Sequence, residues 1–111
     1  MPERKYKRVR LTRKMKPIRA AFKTDHLRGE GQIGSLSREG LFLATEELPS
    51  PGDFVTVIFS DRSGSKIEIC GTVRWTTAQL PPGKCSREGF GMHLEFLSDE
   101  YREFYEELLV T

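Results

Sequence analysis

The amino-acid sequence predicts a mainly β fold: a small barrel preceded by a basic arm and followed by one helix. Three observations carry that expectation. From Ile18 onward, short apolar runs alternate with polar residues at a period of two, the pattern of half-buried strands. Clusters of Gly, Pro, Asp and Ser separate the runs at short intervals, a spacing typical of sandwiches and barrels. The period lengthens to that of a helical face only near the C-terminus. Between sandwich and barrel, closure favours the barrel because it leaves a small sheet without exposed edges.

Residues 1–16 show neither alternation nor an amphipathic stripe, and Pro17 closes them off, so they are expected to form a flexible arm. Residues 17–97 carry the barrel. Ile18, Ala20 and Phe22 alternate with Arg19, Ala21 and Lys23 as its first strand. Residues 27–33 extend the sheet, with Gly29 and Gly31 suited to a bend or bulge. Leu41, Phe42 and Leu43 follow Gly40 as a third strand, and residues 47–52 form a loop. The nearly unbroken apolar run at residues 54–59 predicts a central strand covered on both faces. After a turn at residues 61–64, Ile67, Ile69, Val73 and Trp75 share one alternating face, which assigns Trp75 to the core. Pro81, Pro82 and Gly83 interrupt the chain before Phe90, Met92, Leu94 and Phe96, the inward row of the last strand. In residues 98–111, Tyr101, Phe104, Tyr105 and Leu108 fall on one helical face, with Ser98 placed as N-cap and Asp99 and Glu100 in the first turn.

A chain of 111 residues has room for one such domain. Its seven Phe, three Tyr and one Trp supply enough apolar material for a core. No apolar run approaches the roughly 20 residues that span a bilayer, and the N-terminus is too polar for a secretory signal, so the expected compartment is the cytoplasm, without membrane insertion. Cys70 and Cys85 are the only cysteines and read as free thiols.

Charge is unevenly distributed. The net charge is +2, yet residues 1–23 hold ten basic residues against Glu3 alone and carry +9, leaving −7 on the rest. A basic arm on a mildly acidic body fits an anionic partner, whether nucleotide, nucleic acid or membrane surface, and equally a solvated tail. Catalytic patterns are absent from the sequence: no nucleophile elbow, phosphate loop, paired Cys-x-x-Cys or His-Glu-x-x-His occurs, and His26 and His93 stand far apart. The expectation is a protein that is not an enzyme and holds no metal or cofactor.

Two stretches are chemically informative. Arg4 and Arg8, four apart, can close on one anion, and each guanidinium offers a fork of donors that fits phosphate oxygens or the O6/N7 edge of guanine. Residues 35–40, Ser-Leu-Ser-Arg-Glu-Gly, read as a narrow turn that a ligand can approach closely, although an ordinary turn has the same composition.

Residues 3–9, Glu-Arg-Lys-Tyr-Lys-Arg-Val, resemble the Arg-x-x-x-Arg signature of the PilZ family, and residues 35–40 resemble its second signature, Asp/Asn-x-Ser-x-x-Gly. Residues 71–75 and 89–96 are similar to the family's later strands. The resemblance implies a six-stranded antiparallel β-barrel with a C-terminal α-helix. It also implies binding of the bacterial second messenger cyclic di-GMP on the outer surface, under the flexible arm. By the same resemblance Arg4 and Arg8 hold guanine edges and phosphates, Ser37 hydrogen-bonds to the ligand and Gly40 permits the turn. Lys5, Tyr6, Lys7 and Arg10 are secondary candidates, Tyr6 for stacking. Ser35 stands where the family has Asp or Asn, and its shorter, uncharged hydroxyl weakens or abolishes the contact with guanine. The implied function is a cyclic di-GMP sensor or effector whose ordered arm alters the surface offered to an unidentified protein partner. Two alternatives remain: a divergent PilZ-like interaction module without the nucleotide, and a small nucleic-acid-binding barrel, which fits less well because no strand interleaves basic and aromatic residues.

Overall fold

The computed structural model describes residues 9–10, 18–61, 63–79, 88–96 and 98–109. Seven strands, β1 (Val9–Arg10), β2 (Arg19–Lys23), β3 (Arg28–Leu36), β4 (Gly40–Ala44), β5 (Phe54–Ser60), β6 (Lys66–Thr76) and β7 (Gly89–Phe96), precede the helix α1 (Asp99–Leu109). Strands β2 to β7 pair antiparallel in the order β3-β2-β5-β6-β7-β4, and β4 pairs back onto β3, closing a six-stranded barrel. The expected barrel is therefore present. The additional strand β1 continues along β3 past the last β2 pair: Arg19 lies opposite Gln32, while Arg10 and Val9 lie opposite Ser35 and Leu36. Alternation could not reveal a strand of two residues.

Alternation does explain the interior. Val55, Val57 and Phe59 from β5, Ile67, Ile69 and Val73 from β6, and Phe90, Met92 and Leu94 from β7 are buried together with Phe22, Ile33, Leu36, Leu41 and Leu43. Gly71 allows β6 and β7 to approach closely, since a Cβ there would collide with the His93 carbonyl. At the end of the barrel where β3 and β5 finish, α1 covers the opening. Ser98 caps it, its hydroxyl accepting the Tyr101 N–H at 3.1 Å. The helix buries Tyr101, Phe104, Tyr105 and Leu108 as the spacing predicts, and Phe104 meets Phe59 with ring centroids 5.2 Å apart.

Several expectations are corrected, most of them by β-bulges. An extra residue in one strand shifts which side chains face inward beyond it. Arg74 has no partner between the pairs Val73–Met92 and Trp75–Gly91, so Thr76 turns inward and Trp75 is 41% exposed instead of joining the core. Glu95 is likewise skipped between Leu94–Gly71 and Phe96–Cys70, and Phe96 is 70% exposed, not part of the inward row. The bulge in β3 falls at Gly34, between Ile33 and Ser35, not at Gly29 or Gly31. Strand β5 is covered on one face only, leaving Phe54 53% exposed, because a closed barrel has a single interior and α1 lies at its end.

Candidate functional site

The second motif divides between a strand and a turn. Ser35 and Leu36 belong to β3, the turn spans Ser37, Arg38 and Glu39, and Gly40 opens β4 opposite His93. Ser37 is buried and organises the turn. Its N–H donates to the Gly40 carbonyl at 2.8 Å, and its hydroxyl accepts the N–H groups of Glu39 and Gly40 at 3.3 and 3.2 Å. This is the local side-chain-to-backbone bonding that favours serine in turns. Its carbonyl accepts the Tyr101 phenol at 2.6 Å. Gly40 is not needed for a left-handed conformation here: among the described residues the glycines with positive φ are Gly52 and Gly64. Burial pushes the Tyr105 phenol above its ordinary value, and the neighbouring Arg38 charge opposes that rise.

Ser35 points to a second feature. It lies opposite Phe42, Phe42 lies opposite Gly91, and Gly91 lies opposite Trp75. Directly opposed residues share a face of the sheet, so Ser35, Phe42, Gly91 and Trp75 form one row across β3, β4, β7 and β6 on the outside of the barrel. The backbone of Arg10 in β1 flanks the row at Ser35. Phe42 and Trp75 are stacked, with ring centroids 5.5 Å apart and an interplanar angle of 14°. Glycines make room for them. A Cβ on Gly34 or Gly89 would come within 2.8 or 2.6 Å of the Phe42 ring, and one on Gly91 would strike the indole. The row can therefore offer a hydroxyl, a strand edge and a flat aromatic surface on which a planar base could stack.

Of the residues proposed from sequence, Arg4, Lys5, Tyr6, Lys7 and Arg8 lie outside the described residues, and Arg10 is described by its backbone alone. Ser35, Ser37 and Gly40 are adjacent, with only Ser35 on the outer row. Phe42 and Trp75 were not among the site candidates. A signal existed in the glycines at positions 34, 89 and 91, because isolated glycines inside strands mark bulges or close approaches.

Other regions have no part in this row. An open depression of about 490 Å³ over β2, β3 and β5, lined by Lys23, Arg28, Thr56 and Ile58 among others, shares no residue with it. Among the described residues no three His, Cys, Asp or Glu side chains are grouped to hold a metal, and no helix is long and apolar enough to cross a membrane. Cys70 is a free thiol, as expected, and Cys85 lies outside the described residues.

Comparison with known proteins places this geometry. The inhibitor of motility MotI/DgrA from Bacillus subtilis superposes with a TM-score of 0.74 at 11% identity, over 99% of this chain and 51% of that one. The chain thus spans about half the length of the Bacillus protein. The PilZ domain of YcgR from Escherichia coli, solved with c-di-GMP, superposes with a TM-score of 0.73 at 12% identity, over 98% of this chain and 91% of that domain. At such identities the likeness is one of fold. No curated protein sequence matches the chain. A family model for the PilZ domain matches residues 2–110. With that match running from the basic segment to the end of the capping helix, the chain belongs to the PilZ domain family.

Proposed function

We propose that the chain is a cyclic di-GMP sensor or effector domain that carries the nucleotide on the outer row of Ser35, Phe42, Gly91 and Trp75. The observation that carries this reading is the pairing of β1 with β3. Val9 follows Arg8 directly in sequence and lies opposite Leu36, with Arg10 opposite Ser35, so the Arg-x-x-x-Arg motif leads into the strand bordering the second motif. A dinucleotide with two phosphates and two guanines matches the chemistry assembled there: guanidinium forks for anions and guanine edges, and an exposed aromatic surface for a base. Family membership and the nucleotide-bound YcgR domain point the same way. In this reading Arg4 and Arg8 clamp the ligand, with Lys5, Tyr6, Lys7 and Arg10 contributing around them. Ser37 acts chiefly by shaping the turn. Ordering of the arm over the nucleotide changes the surface presented to a protein partner in the cytoplasm.

Ser35 supports a second reading, a domain that keeps the fold as an interaction module without the nucleotide. A hydroxyl replaces the family's carboxylate or amide at that position, and a lost hydrogen bond of this kind costs about 1–3 kcal/mol, roughly ten- to hundredfold in affinity. Calorimetric titration with cyclic di-GMP decides between the two. Saturable binding that is lost in Arg8→Ala supports the sensor; folded wild-type protein giving no heat at high ligand concentration defeats it.

A further inference from the structure

We propose that Phe42 is a positioning residue for nucleotide binding: by stacking on Trp75 it holds the indole over Gly91, in an orientation ready to receive a purine base. The inference rests on the proposed nucleotide site and adds a residue belonging to neither signature motif. A tryptophan on the outside of a strand ordinarily has freedom to change rotamer. Here the bulge at Arg74 turns Trp75 outward, and its surroundings restrict it.

The restriction comes from both sides of the ring pair. Beneath the indole, the absence of a Cβ at Gly91 leaves the space that its five-membered ring occupies. Beside it, Phe42 lies nearly parallel at 14°. Phe42 is itself set between Gly34 and Gly89, whose missing Cβ atoms would otherwise press on its ring from β3 and β7. Three glycines on two strands and two aromatics on two others thus form one assembly. Phe42 is half-buried on the outer face and lies outside the hydrophobic core, so replacing it opens no interior cavity. Trp75 stays 41% exposed, which leaves ring surface accessible to a ligand.

An indole fixed before binding does not have to be ordered during it. Loss of such preorganisation at one side chain weakens binding by about threefold to tenfold.

Trp75 is the only tryptophan in the chain, so circular dichroism and fluorescence anisotropy read at the red edge of indole absorption, beyond that of tyrosine, report this side chain alone. In ligand-free protein, Phe42→Leu should reduce the tryptophan dichroism and the anisotropy, and Phe42→Tyr should restore both. Affinity for cyclic di-GMP should fall about threefold to tenfold in Phe42→Leu and recover in Phe42→Tyr, with the thermal midpoint nearly unchanged. Gly91→Ala, which displaces the indole while keeping Phe42, should reproduce the spectral loss. Unchanged spectra in Phe42→Leu overturn the proposal, as does an affinity loss without spectral change, which would make Phe42 a direct contact. Wild-type protein that fails to bind cyclic di-GMP defeats the reading of the site, while the ligand-free spectra still decide whether Phe42 orders Trp75.

Discussion

The phenol of Tyr101 and the carbonyl of Ser37, 64 positions apart, are joined by a buried 2.6 Å hydrogen bond. It ties the first turn of α1 to the turn at the centre of the second motif. Tyr101→Phe leaves that carbonyl without its phenol donor, and an unsatisfied buried acceptor costs about 1–3 kcal/mol. The expected result is a lower urea midpoint with an unchanged slope, together with faster hydrogen exchange at the amides of Glu39 and Gly40, which Ser37 holds.

Ser35→Asp should strengthen binding of cyclic di-GMP by about tenfold or more in calorimetry, because a carboxylate can accept from the N1 and N2 donors of guanine. An affinity equal to or below that of the wild type would show that position 35 does not face a guanine edge.

Gly71→Ala should be among the most damaging single substitutions. The added methyl meets the His93 carbonyl, a backbone group that cannot swing aside, and overpacking of this kind costs about 1–3 kcal/mol or more. Gly91→Ala meets only the Trp75 indole among its nearest neighbours, so its cost in thermal stability should be clearly smaller.

Alkaline stability should depend on Tyr105. Burial raises its phenol above 10.0, against the opposing charge of Arg38. The fold favours the neutral phenol, so the stability it contributes is complete below pH 10.0 and declines as pH climbs through the raised value. Urea unfolding of Tyr105→Phe should lack that alkaline decline. On the acid side, hydrogen bonds from the Ser63 hydroxyl and from the backbone of Ser65 and Ser63 lower the Asp61 carboxyl below 3.8. Its contribution is present above 3.8 and disappears as pH falls through the lowered value, an effect that Asp61→Asn should remove.

Most of the barrel was legible in the sequence because burial follows the alternation of Val55, Val57 and Phe59 and of Ile67, Ile69 and Val73. The helix was legible through Tyr101, Phe104, Tyr105 and Leu108, all buried on one face. Alternation fails beyond a skipped residue, and Trp75 and Phe96 both follow one; their apolar character suggested the core while register placed them outside. Ser35 and the turn at Ser37 were visible as a motif. The aromatic row was not, since Phe42, Gly91 and Trp75 become neighbours only through the pairing of β4, β7 and β6.

The skipped residues also set how this protein responds to changes in length. Removing Arg74 would restore simple alternation in β6 with Val73 and Thr76 still inward and Trp75 still opposite Gly91, and removing Gly34 would likewise leave Ile33 and Leu36 inward and Ser35 opposite Phe42. Deletions at these two positions therefore straighten a strand without turning it over, whereas deletion of a regularly paired residue such as Thr56 in β5 exchanges inside for outside along the rest of the strand. The two extra residues thus mark where β3 and β6 tolerate a change in length while the outer row keeps its side chains.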